Sequence, residues 1–264
     1  MRITFLGTGT SHGVPMLDCM ITDYASCPHD VCRKAKTDRR HRRTRASLLV
    51  ETDQVSVLID TSQDFRQQML DNKVKRIDAV LYTHAHADHV YGLPDIRSYS
   101  SRQHKPIDVY ASDETLLFLK LAFDYVFNPP EYVGGGIPSL AAHRMDDGCS
   151  IGDLCIQSLP VEHGPLNGCQ GYRIGDVAYI SDVKRIPDST LTRLRDLDLL
   201  VLNCLRYRTH SGHLTLEESL AYVREIAPER CLLTHMAHDI DYEAVSETLP
   251  EGVSLAYDGL RIVA

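Results

Sequence analysis

Missing from this 264-residue chain is any apolar run of the roughly 18 to 20 residues that a membrane-spanning helix requires. No membrane-spanning helix is therefore expected. The amino terminus, MRITFLGTGTSHGVP, lacks the longer apolar core of a secretory signal, which predicts a cytoplasmic protein. Basic residues are in deficit, with 28 Lys and Arg against 36 Asp and Glu, for a net charge of -8. Broad binding to polyanions is disfavoured, because it depends on many cationic contacts to phosphates. No Cys-x-x-Cys pair occurs among the eight cysteines. In an intracellular chain of this size they predict free thiols or metal ligands rather than a disulfide framework. Strict repeats, low-complexity tracts and interdomain linkers are absent as well, so one domain spanning 1–264 is expected.

A hydrophobic fraction of 43% with 24% charged residues is that of a globular chain able to bury a sizeable core. Charge is unevenly spread. The stretch RKAKTDRRHRRTR, residues 33–45, carries eight Lys and Arg. It reads either as a solvated linker or as a positive patch that steers an anionic substrate.

Apolar patterning predicts an α/β fold. Residues 2–6 read as a buried strand followed by a glycine-rich turn, GTGTSHGVP, that lets the backbone approach something closely. Residues 46–60 read as a hairpin ending at Asp60, QDFRQQMLDN as a helix, and 77–82 as another buried strand. A helix is expected near 113–124, strands near 154–160, 170–174, 177–181, 198–202 and 230–235, and a helix over TLEESLAYVREI. The Pro- and Gly-bearing segment 128–138 is expected to shape a pocket.

Directly after the strand at 77–82 stands THAHADH, with His84, His86, Asp88 and His89 in the order H-x-H-x-D-H. In an extended segment His84 and His86 point to one side and can share an ion, while Asp88 and His89 lie past the turn. His163, Asp182 and His235 each follow a strand in the same way. Singly, each of these is an ordinary polar residue; together they suggest a metal cluster at the strand ends, where α/β folds place their chemistry.

These motifs, LGTGTSHGVP, THAHADH, EHG, ISD and LTH, resemble those of the metallo-β-lactamase superfamily of hydrolases along nearly the whole chain. The resemblance implies an αββα four-layer sandwich. It makes His84, His86 and His163 ligands of one divalent ion, Asp88, His89 and His235 ligands of a second, and Asp182 the bridging carboxylate. A hydroxide held between two cations is available at neutral pH because the metals lower the pKa of water. The segment THSGHLTLEESL resembles the histidine-bearing segment of phosphodiesterases such as ribonuclease Z. It implies that His213 contacts phosphate or acts as general acid, beside Asp182 and Asp88 in the catalytic set. His210 stays unassigned.

Cys19, Cys27 and Cys32 follow the glycine turn at a spacing that by itself says little about zinc. The chain is, however, similar to the cyclic ribose phosphate phosphodiesterases of bacterial phosphonate degradation, where three such cysteines join a late histidine. That resemblance implies a structural zinc held by Cys19, Cys27, Cys32 and His238, pinning a loop around 19–32. The cysteines lie farther apart here than in that family, with the insertion MITDYAS between them. Cys149, Cys155, Cys169, Cys204 and Cys231 read as small buried hydrophobes. The expected function is hydrolysis of a small anionic phosphodiester, a cyclic ribose phosphate or nucleotide-like compound, rather than of long nucleic acid. Zinc and manganese suit the imidazole and carboxylate ligands equally, and a homodimer is implied by the family alone. The rival reading is a lactone, ester or thioester hydrolase with the same two ions, assisted by a tyrosine such as Tyr207.

Overall fold

The computed structural model describes residues 1–131 and 136–264. Residues 132–135, within the segment 128–138, lie outside the described residues. The chain first lays down β1 (Arg2–Gly7), β2 (Ser47–Glu51), β3 (Ser56–Ile59), β4 (Ala79–Leu81), β5 (Ile107–Ala111) and β6 (Leu140–Arg144). It continues with β7 (Gly148–Ile151), β8 (Leu154–Pro160), β9 (Gln170–Ile174), β10 (Val177–Ile180), β11 (Leu199–Asn203), β12 (Arg230–Thr234) and β13 (Val253–Leu255). A last strand, β14 (Arg261–Val263), returns to pair with β1. Two sheets result among the described residues, in the orders β14-β1-β2-β3-β4-β5-β6 and β13-β12-β11-β10-β9-β8-β7. Pairing is parallel from β3 to β6 and from β10 to β13.

Strand alternation explains the four layers. Val57 and Ile59 of β3, Ala79 and Leu81 of β4, Tyr172 of β9, Val177 and Tyr179 of β10 and Leu199 and Val201 of β11 point into one core between the sheets. Their neighbours point the other way. Leu58, Val80 and Val109 meet residues of the helices Phe65–Asn72 and Asp113–Ala122 outside the first sheet. Ala178, Ile180, Leu200 and Leu202 meet those of the helix Leu216–Ile226 outside the second. Strands buried on both faces read as continuous apolar runs, which is why VLI, AVL and LLVL were recognisable without an alternating pattern. The helix at 216 starts at a capping box in which Thr215 accepts from Glu218 N and the Glu218 carboxylate accepts from Thr215 N. The fold is the αββα sandwich.

The structure departs from the sequence reading in several places. Strands β5, β6, β7, β13 and β14 are short, and most of β6 and β14 is exposed, so little apolar pattern marks them. Cys155 is exposed and Cys149 half-buried, whereas Cys169, Cys204 and Cys231 are buried. The alternation of β8 turns Leu154 and Ile156 inward and leaves Cys155 on the outer face.

The basic segment packs into the fold rather than forming a linker, with five of its eight cations paired or buried and Lys36, Arg39 and Arg42 exposed. Arg33 pairs with Asp30, Lys34 with Asp241, Arg40 with Asp38 and Glu243, and Arg45 with Asp64. Arg43 is 1% exposed and donates to Ala237 O at 2.8 Å and Ile240 O at 2.7 Å. The glycine turn closes against the same segment. Gly9 bridges both Arg45 and Met236, and a Cβ on it would stand 2.9 Å from Arg43 Cβ and 3.0 Å from Arg43 O. A larger residue there would part the two chains.

Candidate metal centre

The strand ends of both sheets meet along one edge. Asp60 follows β3, His84 and His86 follow β4, His163 follows β8, Asp182 follows β10 and His235 follows β12. Asp60 and His235 have positive φ, 62° and 59°, in the left-handed region that turns each side chain back over the end of its strand. Asp88 and His89 lie on the short helix Ala87–Val90, which begins three residues after His84.

Hydrogen bonds fix which imidazole nitrogens are free. His163 Nδ1 donates to Gly212 O at 2.5 Å, so its Nε2 carries a lone pair. Thr83 Oγ1 gives its proton to Asp60 Oδ2 at 2.8 Å and thus accepts from His84 Nδ1 at 2.9 Å, which leaves His84 Nε2 bare. Both bare nitrogens face His86 Nδ1, at 3.2 and 3.0 Å. One His86 proton cannot serve two acceptors. Three ring nitrogens converging in this way could hold a cation, and burial together with His89 keeps His84 well below its ordinary pKa, in the neutral form.

The second group is built on His89. Its Nδ1 donates to Asp60 Oδ2 at 2.7 Å, and both side chains are fully buried. Thr83 N donates to the other Asp60 oxygen at 2.8 Å. His89 Nε2 is thereby aimed at Asp88 Oδ2, 3.4 Å away, and Asp182 Oδ2, 3.3 Å away. His235 Nε2 lies 3.1 Å from Asp182 Oδ1 and 3.7 Å from Asp88 Oδ2. Burial lowers the pKa of His89, yet Asp182, Asp88 and Asp60 around it win and push it well above the usual value. Burial likewise opposes the charge on Asp182, but His235, His89 and His84 hold it well below the carboxylate range.

Asp182 joins the groups. With His84 and His89 it forms one cluster of donor atoms, and with His163 and His213 another. His213 Nδ1 is 3.6 Å from Asp182 Oδ1, and its ring stacks on His235 at 4.8 Å between centroids. Burial, then His235, pushes the His213 pKa down to about 2. Among the described residues, His89 Nε2, Asp182 Oδ2, His213 Nδ1 and His235 Nε2 are buried without a hydrogen-bond partner. Buried polar atoms are generally paired, and although others such as Ser56 Oγ and Tyr179 OH also lack a partner, the convergence of four unpaired imidazole and carboxylate atoms in one cleft fits divalent cations.

All seven ligand candidates and His213 thus share one cleft. Sequence reasoning missed Asp60, whose place in LLID-like sequence (VLID, then THAH after VLYT) has the same signal as Asp182, an acid directly after a buried strand. It also missed Asn203, whose Oδ1 accepts from Leu214 N and whose carbonyl accepts from Ser219 Oγ, holding the loop that presents His213. Tyr207 is exposed and its ring meets His29 edge-on at 6.5 Å.

A second set of donor atoms lies nearby. His238 Nδ1 is 3.1 Å from Cys19 Sγ, 3.5 Å from Cys32 Sγ and 3.8 Å from Cys27 Sγ. Cys32 N donates to Cys27 Sγ at 3.2 Å and Met16 N to Cys32 Sγ at 3.3 Å, contacts that suit thiolates. Val14, Val31 and Ala35 make a small apolar cluster around these cysteines.

A sandwich whose strand ends carry these histidines and aspartates defines a class, and the beta-lactamase superfamily domain matches residues 56–236: the chain belongs to that superfamily. More particularly, it is 36% identical to a solved structure described as a new diphosphatase from the PhnP family. That match has a TM-score of 0.88 and covers 100% of this chain and 97% of that one. The chain is also 36% identical over 267 residues to the octanoyltransferase of Porphyromonas gingivalis (strain ATCC BAA-308 / W83), covering all of this chain and 51% of that protein. It therefore spans about half the length of that relative. A ribonuclease Z of Enterococcus faecalis (strain ATCC 700802 / V583) is 23% identical over 297 residues, 90% of this chain and 87% of that protein. No helix among the described residues is long and apolar enough to cross a membrane.

Proposed function

We propose that the chain is a dinuclear metal-dependent phosphodiesterase for a small anionic substrate. His84, His86 and His163 would hold one ion and Asp88, His89 and His235 the other, with Asp182 a ligand available to both. The observation that carries this reading is Asp182, buried, with one oxygen beside His235 and the other beside His89, and drawn into both donor clusters. Two divalent cations, zinc or manganese, supply Lewis acidity toward phosphoryl oxygens and bring the pKa of water near neutrality.

The chain's own groups do the rest. Asp182 and Asp88 place anionic oxygens between centres that would otherwise repel. Asp60 accepts the Nδ1 proton of His89 and so makes Nε2 the nitrogen that would hold an ion in place of its proton. His213, stacked on His235 and presented by the loop after β11, is placed to donate a hydrogen bond to a phosphoryl oxygen or, once protonated, a proton to the departing alkoxide. An anionic substrate beside the ring favours its protonation, which suits the acid role.

Phosphorus is favoured over carbon by the diphosphatase at 36% identity and by the ribonuclease Z relative. A small substrate is favoured by the net charge of -8. The same reading takes residues 1–264 as one domain and Cys19, Cys27, Cys32 and His238 as a closed structural zinc site that pins the loop at 19–32. The test is hydrolysis of bis(p-nitrophenyl) phosphate and five-membered cyclic ribose phosphates by the metal-loaded protein. Turnover should vanish in Asp182→Ala. Full metal occupancy without phosphodiester turnover would refute the proposal.

One observation supports a second reading. The octanoyltransferase relative acts on an acyl group, and this chain matches about half of that protein along its own full length. A thioester or ester hydrolase using the same two ions would act on such acyl compounds. An octanoyl thioester in the same substrate panel separates the two: the phosphodiesterase reading requires the phosphodiesters to be hydrolysed with the higher kcat/KM.

A further inference from the structure

Between β11 and the helix Leu216–Ile226 the chain forms a loop whose two ends are tied together. Leu205 N donates to Leu214 O at 3.0 Å and Leu216 N to Arg206 O at 3.1 Å. The tip is braced from within, where the Arg206 guanidinium donates to Arg208 O at 3.1 Å and Thr209 O at 3.4 Å. The loop is thus held by its own bonds rather than by packing alone, and it carries His210 as well as His213.

Gly212 sits between these rings and the metal centre. Its carbonyl accepts from His163 Nδ1 at 2.5 Å, and its N–H donates to His210 Nδ1 at 3.0 Å. A backbone N–H can only donate, so His210 Nδ1 is the acceptor and the neutral ring carries its proton on Nε2. Among the described residues that Nε2 has no hydrogen-bond partner. The His210 ring is 4.9 Å from that of His213, and it is half-buried. One imidazole is thereby fixed in place and tautomer with its single N–H unused, on the solvent side of His213.

We propose that His210 is a substrate contact: its Nε2–H donates to an oxygen of the alcohol portion of a phosphodiester, the part that extends past His213 away from the metals. This rests on the phosphodiesterase reading above. It gives the loop two imidazoles with separate tasks, His213 at the phosphoryl centre and His210 on the group beyond it. An alcohol rich in acceptor oxygens, such as a ribosyl group, fits that donor better than a plain alkyl group.

Gly212 completes the arrangement. A Cβ there would stand 3.1 Å from His163 Cε1 and 3.3 Å from His163 Nδ1, so any side chain crowds the ligand that the carbonyl orients. The same residue therefore couples the orientation of His163 to that of His210.

Three variants separate a substrate contact from a merely structural clasp. His210→Asn keeps an acceptor where Nδ1 stood but has no group at Nε2, and His210→Gln keeps an N–H donor near Nε2. His210→Ala has neither. Measured on a cyclic ribose phosphate, KM should rise roughly tenfold in the Ala and Asn variants, the worth of one neutral hydrogen bond. The Gln variant should return to within about threefold of the parent, with kcat and metal content held in all three. Rescue by Asn but not by Gln, or unchanged KM in all three variants of a protein that turns over phosphodiesters, would overturn the inference. Absence of phosphodiester turnover in the metal-loaded parent refutes instead the reading on which it rests. In that case a fluorescence titration with ribose 5-phosphate still decides the contact, since affinity must fall in Ala and Asn and recover in Gln.

Discussion

Replacing Asp60 with asparagine tests how the second ion is held. Asp60 is wholly buried and accepts from His89 Nδ1 at 2.7 Å, Thr83 Oγ1 at 2.8 Å and Thr83 N at 2.8 Å. Its φ of 62° is a backbone state that asparagine enters as readily as aspartate, so the change is confined to the side chain. Asparagine still accepts from Thr83 N through its carbonyl oxygen. Its amide, however, now turns N–H groups toward the N–H of His89 and the O–H of Thr83, where the second carboxylate oxygen had accepted from both. The hydroxyl of Thr83 can rotate to accept from the amide, so the net loss is the charge-assisted hydrogen bond from His89 and the orientation it gave the ring, about 1.5 to 3 kcal/mol. Affinity for one of the two ions should fall roughly 10- to 100-fold, the range seen when a carboxylate behind a ligating histidine is removed. Titration against a chromophoric chelator reads this directly as one weakened step and one near-normal step. Near-UV circular dichroism checks that the fold is kept. Two ions bound at parental affinity in a folded Asp60→Asn protein would refute the account of how His89 is set.

His213→Ala should lower kcat on bis(p-nitrophenyl) phosphate by roughly 100-fold or more, the usual range for a positioned proton donor, with both active-site ions retained. Steady-state rates and metal analysis on the same sample check this. Cys32→Ser, or His238→Ala, should release one zinc without emptying the histidine and aspartate cleft. The loop at 19–32 should then become the first site of limited proteolysis; a loop as resistant as the parent's would count against a zinc pin. Asp78 gives a pH test away from the metals. Burial raises its pKa, but Lys105, the N–H of Ser56 and Arg76 prevail and lower it below the ordinary 3.8. A folded pKa below the unfolded one contributes stability above pH 3.8 that is lost as pH falls through the folded value. Asp78→Asn should therefore cost about 1 kcal/mol at pH 7, its cationic partners being half exposed, and less at pH 3. Urea unfolding at the two pH values measures the difference, and an equal cost at both would contradict it.

Much of this arrangement could be read from the sequence because buried parallel strands write themselves as short apolar runs and the chemistry stands directly after them. THAHADH, EHG, ISD and LTH each mark a strand end. The structure then shows β4, β8, β10 and β12 delivering those residues to one cleft. What escaped notice acts through the backbone or through another side chain. Asp60 touches His89 rather than a ligand position of its own, and Gly212 works by its carbonyl and its lack of a Cβ. Gly212 has no residue type that announces a metal site, whereas Asp60 carries the strand-end signal of Asp182 but acts on a histidine. The basic run at 33–45 misled for the opposite reason. Its composition predicts a uniform field, but Asp64, Asp241 and Glu243, all outside the run, pair with Arg45, Lys34 and Arg40 only in the fold.

The turn at 235–238 connects the two sets of donor atoms. His235 faces Asp182, His238 faces three thiols, and only Met236 and Ala237 separate them, with Arg43 gripping Ala237 O. The two centres are thus joined by less covalent chain than one turn of helix. A cation in the thiol centre would restrict the torsions that aim His235, so part of its binding energy would appear as reduced disorder at the other site. Oxidising those sulfurs would be felt as a change in the affinity of a cleft that contains no sulfur at all.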